Sequence, residues 1–210
     1  MAGEGPRTIT KRNVLAVEGE DDRNFFEALL RHMGIVDVQI EPVGGKDQFK
    51  NKLPALPKTP GFFDANGVSF VRHLAIVRDK GDDHAFESIA NIVKAAGFTP
   101  PLASGRFSDG APRVGIFIMP GQGVYGTMLE DLCLETVKNH PAMDCVGPFA
   151  ECIRGLTHPP RSPSKAKCQA FLAAQVEIAN AVGVGALKGY WNLNSPALDG
   201  LKGFLSQMRC

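Results

Sequence analysis

Short apolar runs alternate with helical segments along the first 140 residues of the chain. Buried strands are predicted at the apolar runs, which lie at about 13–18, 69–78 and 114–119. Another strand is predicted at about 36–41, where apolar and polar residues alternate as in a strand near a sheet edge. Helical periodicity predicts helices at about 21–33, 46–56, 83–97 and 127–138. This alternation predicts an α/β fold with a mostly parallel four-stranded sheet and flanking helices.

The pattern changes after Pro141, where only helices are predicted. They lie at about 149–155, 164–180 and 197–208, and Ser195 is placed to cap the last of them. We therefore expect an α/β domain at 11–140 and a helical C-terminal extension at 141–210 that packs on it.

Composition indicates an ordinary globular protein. Of its 210 residues, 44% are hydrophobic and 21% are charged. No apolar stretch approaches the roughly 18 residues that a membrane helix needs, and the first residues lack the apolar core of a secretory signal. The five cysteines are scattered and form no C-x-x-C pair. We therefore expect a cytoplasmic protein without a membrane segment or a disulfide framework.

Carboxylates gather where two of the predicted strands end. Glu18 follows the first apolar run, and Asp79 follows the run at 74–77. Ligands of open α/β sheets bind beyond the carboxyl ends of the strands, and crowded carboxylates favour a divalent cation. We therefore expect Glu18 and Asp79 to bind Mg²⁺ or Mn²⁺. Asp82 and Asp83 are further candidate ligands, although one of them is also expected to cap the next helix.

Three other features have more than one interpretation. Lys46, after a Gly-Gly turn, either points into the crevice with the two carboxylates or is solvated at a helix start. Glu130 and Asp131 either belong to a solvated polar helix face, or one of them supplies a further metal ligand, since adjacent helical residues cannot face the same way. The G-x-G-x-x-G segment at 121–126 favours a flexible turn near the crevice over a dinucleotide site, because it follows the fourth strand and not the first.

Several of these segments resemble a TOPRIM-type domain, the metal-dependent α/β module of primases, topoisomerases and overcoming-lysogenization-defect (OLD) nucleases. Residues 14–19 resemble its first strand with the glutamate, and residues 75–83 resemble the strand with its Asp-x-Asp pair. The chain is more similar still to small bacterial TOPRIM-like proteins known as DUF3226. That similarity lies in residues 17–22, 44–46, 116–120, 128–132, 189–191 and 195–198.

The resemblance implies a TOPRIM (Rossmann-like) fold over about 11–140 and a Mg²⁺-dependent, nuclease-like activity on nucleic acid. Glu18 would act as a general acid or base or as a metal ligand, and Asp79 would bind the metal. Lys46 would neutralise negative charge in the transition state. By analogy with OLD proteins, it also implies an ATPase partner subunit. The second aspartate of the Asp-x-Asp pair would fall at position 81, which is a glycine. Either Asp82 or Asp83 replaces that aspartate, or the second metal site is lost.

The C-terminal part is the more basic part of a chain whose net charge is only +1. Residues 151–210 hold 7 Lys or Arg against 3 Asp or Glu. In a nuclease, four basic residues of this part would contact the nucleic-acid backbone: Arg154, Arg161, Lys165 and Lys167. A simpler role, keeping the protein surface soluble, explains these four residues equally well. The alternative functions are a non-catalytic binding module that has kept the fold, and a nucleotide-binding protein that uses Gly121, Gly123 and Gly126.

Overall fold

The sheet has five strands in a computed structural model that describes residues 8–81 and 84–209. The strands are β1 (Asn13–Val17), β2 (Val38–Pro42), β3 (His73–Asp79), β4 (Arg106–Phe107) and β5 (Arg113–Met119). Their order is β2-β1-β3-β5-β4, and the first four in this order are parallel. The predicted four parallel strands are confirmed, with the alternating strand β2 at one edge. The two-residue β4, antiparallel to β5, lies in a segment predicted as a loop.

Eight α-helices are found among the described residues. They are α1 (Glu20–His32), α2 (Phe49–Lys52), α3 (Ala85–Ala95), α4 (Leu129–Thr136), α5 (Met143–Arg154), α6 (Pro163–Ala173), α7 (Val182–Leu187) and α8 (Asp199–Ser206). Short 3₁₀ turns at Lys46–Gln48, Leu56–Lys58 and Pro196–Leu198 complete the regular structure.

Three helix predictions differ from the structure, and two of the differences occur at helices that contain glycine or proline. Helix α5 starts six residues before the predicted position and contains Pro148, because packing outweighs the loss of one backbone hydrogen bond. Helix α7 was not predicted, since two of its six residues are glycines. The helix predicted at 164–180 ends at Ala173. At the start of α3 the N-cap residue is His84, and Asp83, which the sequence favoured as a cap, lies outside the described residues.

Two apolar layers cover the two faces of the sheet, because successive side chains of a strand point in opposite directions. The first apolar layer contains Val17 and Val77 and packs against residues of α1, α4, α6, α7 and α8. The second apolar layer contains Ala16 and Ile76 and packs against residues of α2 and α3. Helices after residue 141 thus share the first layer with the sheet, whereas the domain division at 141 stays a prediction.

Aromatic contacts join the C-terminal helix to the sheet. The ring of Phe204 in α8 stacks on Phe107 of β4 at 5.0 Å and lies 5.5 Å from Phe117 of β5. Within the described ranges, no helix has both the length and the apolar character that crossing a bilayer requires.

Candidate functional site

Glu18 and Asp79 lie side by side at the carboxyl edge of the sheet. Glu18 directly follows β1, Asp79 ends β3, and these two strands are parallel neighbours. The Oε1 atom of Glu18 accepts a hydrogen bond from the backbone N–H of Asp79 at 3.2 Å. The structure therefore brings together the two residues that the sequence selected as the centre of the site.

Asp79 also holds the start of α4. Its Oδ1 atom accepts a hydrogen bond from the backbone N–H of Leu129 at 2.9 Å. Burial raises the pKa of Asp79 to about 8, and the nearby charges of Glu18 and Asp22 add to this rise. Glu130 acts in the same direction. Asp79 is thus a carboxyl group whose negative charge is poorly compensated by the protein.

Asp22 is a member of the site that the sequence did not single out. Its Oδ2 atom accepts a hydrogen bond from the N–H of Gly19 at 3.1 Å, as a carboxylate in a first helical turn does. Burial raises the pKa of Asp22 to about 7, and the charge of Glu18 contributes to this rise. The available signal was its spacing: Asp22 lies four residues after Glu18, just past the turn that starts α1.

The other acidic residues of this turn face elsewhere. The carboxylate of Asp21 accepts hydrogen bonds from the N–H groups of Val182 and Gly183, at 3.0 and 2.6 Å. Glu20 pairs on the surface with Arg23 at 3.3 Å. Asp21 therefore attaches the start of α7 to α1.

Of the two acids at the start of α4, Glu130 faces the site. Its side chain is 15% exposed, and Lys165 of α6 approaches it with its Nζ 3.5 Å from Oε1. The carboxylate of Asp131 instead accepts hydrogen bonds from the N–H groups of Thr127 and Met128 and from the hydroxyl of Ser164. Asp131 is thus a capping residue, and Glu130 completes the group that we call the acidic cluster: Glu18, Asp22, Asp79 and Glu130.

Lys46 is exposed to solvent, and its ammonium group lies at the opening of the crevice beside Gly81. The turn before it is fixed to β1, because the N–H groups of Gly44 and Gly45 donate to the carbonyl oxygen of Glu18 at 3.0 and 2.7 Å. A Cβ atom at Gly81 would lie only 2.8 Å from the Nζ of Lys46. The ammonium group of Lys46 therefore fills the space beside the position at which the family resemblance expects a second aspartate.

Three positive charges act on Glu18, namely Arg78, Lys46 and Lys165. Burial raises the pKa of Glu18, and the charges of Arg78 and Lys46 oppose the rise. Arg78 is only 8% exposed, and its buried Nε has no hydrogen-bond partner among the described residues. The guanidinium group is thus a buried counter-charge next to Glu18.

The donor set suits a hard divalent cation, although no cage is preformed. All members of the acidic cluster offer carboxylate oxygens, the ligands that Mg²⁺ prefers. Within residues 8–81 and 84–209, no three His, Cys, Asp or Glu side chains converge closely enough to hold a metal. Mg²⁺ commonly takes one or two carboxylates and completes its shell with water and substrate phosphate, so the residues present fit it.

Alternation along the strands gives the side chains of Glu18 and Asp79 different starting directions. Val17 belongs to the first apolar layer, so the next residue, Glu18, starts on the side of the second layer. Val77 also belongs to the first layer, and Asp79, two residues later, returns to that side. The Glu18 carboxylate then reaches the backbone N–H of Asp79 at the end of the neighbouring strand. Asp82 and Asp83 lie outside the described residues.

The glycine-rich segment at 121–126 does not form a phosphate cradle at a helix start. Its three glycines have positive φ angles of 95°, 81° and 124°. At the start of α4, however, the N–H groups of Thr127, Met128 and Leu129 are bound by the carboxylates of Asp131 and Asp79. These carboxylates occupy the donors that a pyrophosphate needs and would repel it.

Comparison with solved structures finds similar chains among OLD proteins. The C-terminal region of the Xanthomonas campestris pv. campestris OLD protein is 17% identical, with a TM-score of 0.48 and 96% of each chain covered. The C-terminal region of the Burkholderia pseudomallei OLD protein is 14% identical, with a TM-score of 0.47, and 96% of this chain and 98% of that chain are covered. No residue role or activity is transferred from these likenesses to this chain.

None of the curated proteins matches the chain. The family model described as "Protein of unknown function (DUF3226)" matches residues 12–210, nearly the whole chain. The resemblance to DUF3226 proteins is therefore confirmed, and this chain belongs to the DUF3226 family.

Proposed function

We propose that this protein cleaves phosphodiester bonds in nucleic acid with the help of Mg²⁺ or Mn²⁺. The observation that carries the proposal is the contact between Glu18 and Asp79 at the carboxyl edge, with Lys46 across the crevice. Carboxylates for a cation and an ammonium for an anion then lie within one crevice. This combination suits a negatively charged substrate that is bound together with a divalent metal.

The acidic cluster would hold the metal. Asp79, Asp22 and Glu130 repel one another in the metal-free protein, and a bound cation would relieve that repulsion. Such a metal polarises a phosphodiester and lowers the pKa of water. Glu18 lies between the other members of the acidic cluster and the positive charges of Arg78 and Lys46. In this position Glu18 can hold or transfer a proton at the edge of the site.

Lys46 would take the role of a second cation. The space beside Gly81 is occupied by the ammonium of Lys46 and not by a second aspartate. An ammonium there binds phosphate oxygens and stabilises the negative charge that develops on them. We therefore propose one metal ion with Lys46, instead of the two-metal arrangement that Asp-x-Asp implies.

The basic residues of α6 would contact the nucleic-acid backbone. Lys165 already lies at the site, 3.5 Å from Glu130. Arg154, by contrast, pairs with Glu151 at 2.8 Å on the exposed side of α5. Backbone contacts are salt-sensitive and independent of base sequence, so salt should weaken binding. An ATPase partner subunit remains an expectation from the family resemblance.

A plasmid-nicking assay tests the proposal. The purified protein should nick supercoiled plasmid with Mg²⁺ or Mn²⁺ and be inactive in EDTA. Both Glu18→Gln and Asp79→Asn should lower the rate about a hundredfold or more, as losing a group that acts on the reaction does. Glu151→Gln, an exposed carboxylate on α5, is the matched control and should retain full activity. Nicking that is equal in all four proteins contradicts the proposed site.

The second candidate is a non-catalytic binding module. It is favoured by the absence, within the described part of the chain, of three converging metal ligands. Calorimetry separates the two candidates, because the module predicts no detectable heat with Mg²⁺ or Mn²⁺ at millimolar concentration. The nuclease predicts metal binding that is weakened in Asp79→Asn.

A further inference from the structure

A groove of about 900 Å³ lies apart from the acidic cluster. One wall is the Gln122–Val124 part of the glycine-rich loop, and the second is the end of α4 with Asn139 and His140. Tyr190, Trp191 and Asn192, which follow α7, form the opposite wall. Four side-chain amides line it, so we call it the amide groove: Gln122, Asn139, Gln175 and Asn192.

The lining of the amide groove offers little free charge. Glu135 is the single carboxylate among the described lining residues, and it pairs with Lys138 at 2.6 Å. Because Glu135 and Lys138 neutralise each other, neither side chain has a free charge with which to bind a strongly charged ligand. The groove is better suited to a neutral polar ligand.

The aromatic side chains of the groove have fixed orientations. The hydroxyl of Tyr190 donates to the carbonyl of Glu177 at 2.8 Å, and the indole N–H of Trp191 donates to the carbonyl of Val182 at 2.8 Å. Trp191 also stacks on Phe171 at 5.0 Å. Trp191 is only 3% exposed and supports the wall from behind, whereas Tyr190 is half-buried and keeps part of its ring on the groove. Since the hydroxyl of Tyr190 is bonded within the protein, its ring offers a flat face to a ligand, which favours a flat aromatic partner.

The polar groups of the groove offer both donors and acceptors. Gln122, Asn139 and Asn192 are exposed, and each amide can donate and accept at the same time. The N–H of Ala142 donates to Nδ1 of His140 at 3.1 Å, so the neutral ring carries its proton on Nε2, where it can donate. Paired donors and acceptors beside an aromatic wall match the edge and the face of a nucleobase.

We propose that the amide groove binds a nucleobase, either of a free nucleotide or of a single-stranded nucleic acid. The volume agrees, because sites for ligands of nucleotide size are commonly 300–1,000 Å³. A base within a duplex has its edge paired and its faces stacked, so duplex is excluded as a ligand. Binding here does not depend on cleavage at the acidic cluster.

The single tryptophan of the chain, Trp191, provides the measurement. Its emission is followed in EDTA with adenosine, uridine, an eight-nucleotide single strand and the matching duplex as probes. We expect saturable changes with single strand and none with duplex. Saturation by nucleosides identifies a free nucleotide as a sufficient ligand, and saturation by the strand alone identifies nucleic acid. No change with any probe at millimolar concentration, or equal affinity for duplex, overturns the proposal.

Variants locate the binding. Gln122→Ala and Asn139→Ala should each weaken binding about fivefold, as expected for one lost hydrogen bond. Tyr190→Phe keeps the ring and should bind like the native protein, whereas Tyr190→Leu should bind poorly. Asn91→Ala, an exposed amide on α3, is the matched control and should not change the affinity. Binding that is unchanged in both Gln122→Ala and Asn139→Ala overturns the proposal, whatever the result of the nicking assay.

Discussion

The carboxylate of Glu18 accepts a hydrogen bond from the backbone N–H of Asp79, with 3.2 Å between Oε1 and N. This bond joins the ends of two adjacent parallel strands and holds the Glu18 carboxylate against the backbone of Asp79. A glutamine at position 18 can accept the same bond, because its amide oxygen replaces the carboxylate oxygen. The variant Glu18→Gln therefore removes the charge and keeps the acceptor.

We predict that Glu18→Gln lowers the pKa of Asp79. After burial, the negative charge of Glu18 is the largest contribution to the raised pKa of that group. Removing this charge makes ionisation of Asp79 easier. Carbon-13 NMR titration of the side-chain carboxyls, in EDTA, measures the change. Glu151→Gln is the control, and an unchanged Asp79 pKa would mean that the two charges do not interact.

We predict that the metal-free protein loses stability as the pH rises from about 4 to about 8. Asp79 has a pKa of about 8 in the folded chain, against an ordinary value of 3.8, so the folded state holds its proton more tightly. The stabilising effect of this proton is complete below about pH 4 and is lost as the pH passes about 8. In Asp79→Asn this contribution disappears, while the side chain can still accept the bond from Leu129.

Urea denaturation of both proteins in EDTA at several pH values measures this difference. At pH 8, Asp79→Asn should have a free energy of unfolding about 5 kcal/mol higher than that of the native protein, since the pKa of Asp79 in the folded chain lies about four units above its ordinary value and each unit corresponds to about 1.4 kcal/mol. Near pH 4 the two should be nearly equal. Asp144→Asn on α5 controls for the loss of one carboxylate. Parallel curves for native and Asp79→Asn proteins would refute the prediction.

We predict that Lys46→Met impairs cleavage but not metal binding. The ammonium of Lys46 lies beside Gly81 and acts on Glu18, so its loss removes a positive charge from the crevice. Cleavage should fall about a hundredfold, the usual cost of losing one group that stabilises developing charge. Calorimetry should find Mn²⁺ bound at least as tightly, because a repelling charge is gone. Lys50→Met on α2 is the control, and weaker Mn²⁺ binding in Lys46→Met would refute the assigned role.

We predict that Asp21→Ala destabilises the protein by about 2–3 kcal/mol. The change leaves the N–H groups of Val182 and Gly183 without their acceptor at the start of α7. Faster hydrogen exchange of these amides should accompany the loss. Glu20→Ala, which removes only a surface ion pair with Arg23, should cost less than about 1 kcal/mol. Equal effects of the two changes would show that Asp21 does not hold α7.

The central strands β1 and β3 were predictable because their burial is nearly uniform. All residues of β1 are buried, and such apolar runs with carboxylates at their ends identify both the sheet and its functional edge. The sequence did not predict α7, because its stability comes from packing and not from helix propensity. A Cβ on Gly183 would collide with the backbone of Asp21, so glycine permits the close approach of α7 to α1.

The site was only partly predictable from sequence. The placement of Glu18 and Asp79 at the carboxyl edge follows from parallel strands, which the alternation of strands and helices indicates. That β1 and β3 are neighbours was not predicted and comes from the structure. That Asp22 belongs to the acidic cluster, and that Lys46 points toward Gly81, depend on how side chains are oriented after turns. No rule of sequence spacing specifies these orientations. The different roles of Glu130 and Asp131 could not be predicted from their spacing. They depend on Ser164 of α6, which lies more than 30 residues along the chain and donates a hydrogen bond to Asp131.

The short strand β4 has a consequence for how copies of this protein meet. It covers the outer edge of β5 and then offers only two residues of its own. The opposite edge strand, β2, ends in proline, which has no N–H to donate. Short edge strands and edge prolines both discourage the addition of a strand from another molecule. Both edges of the described sheet are therefore poor templates for edge-to-edge aggregation.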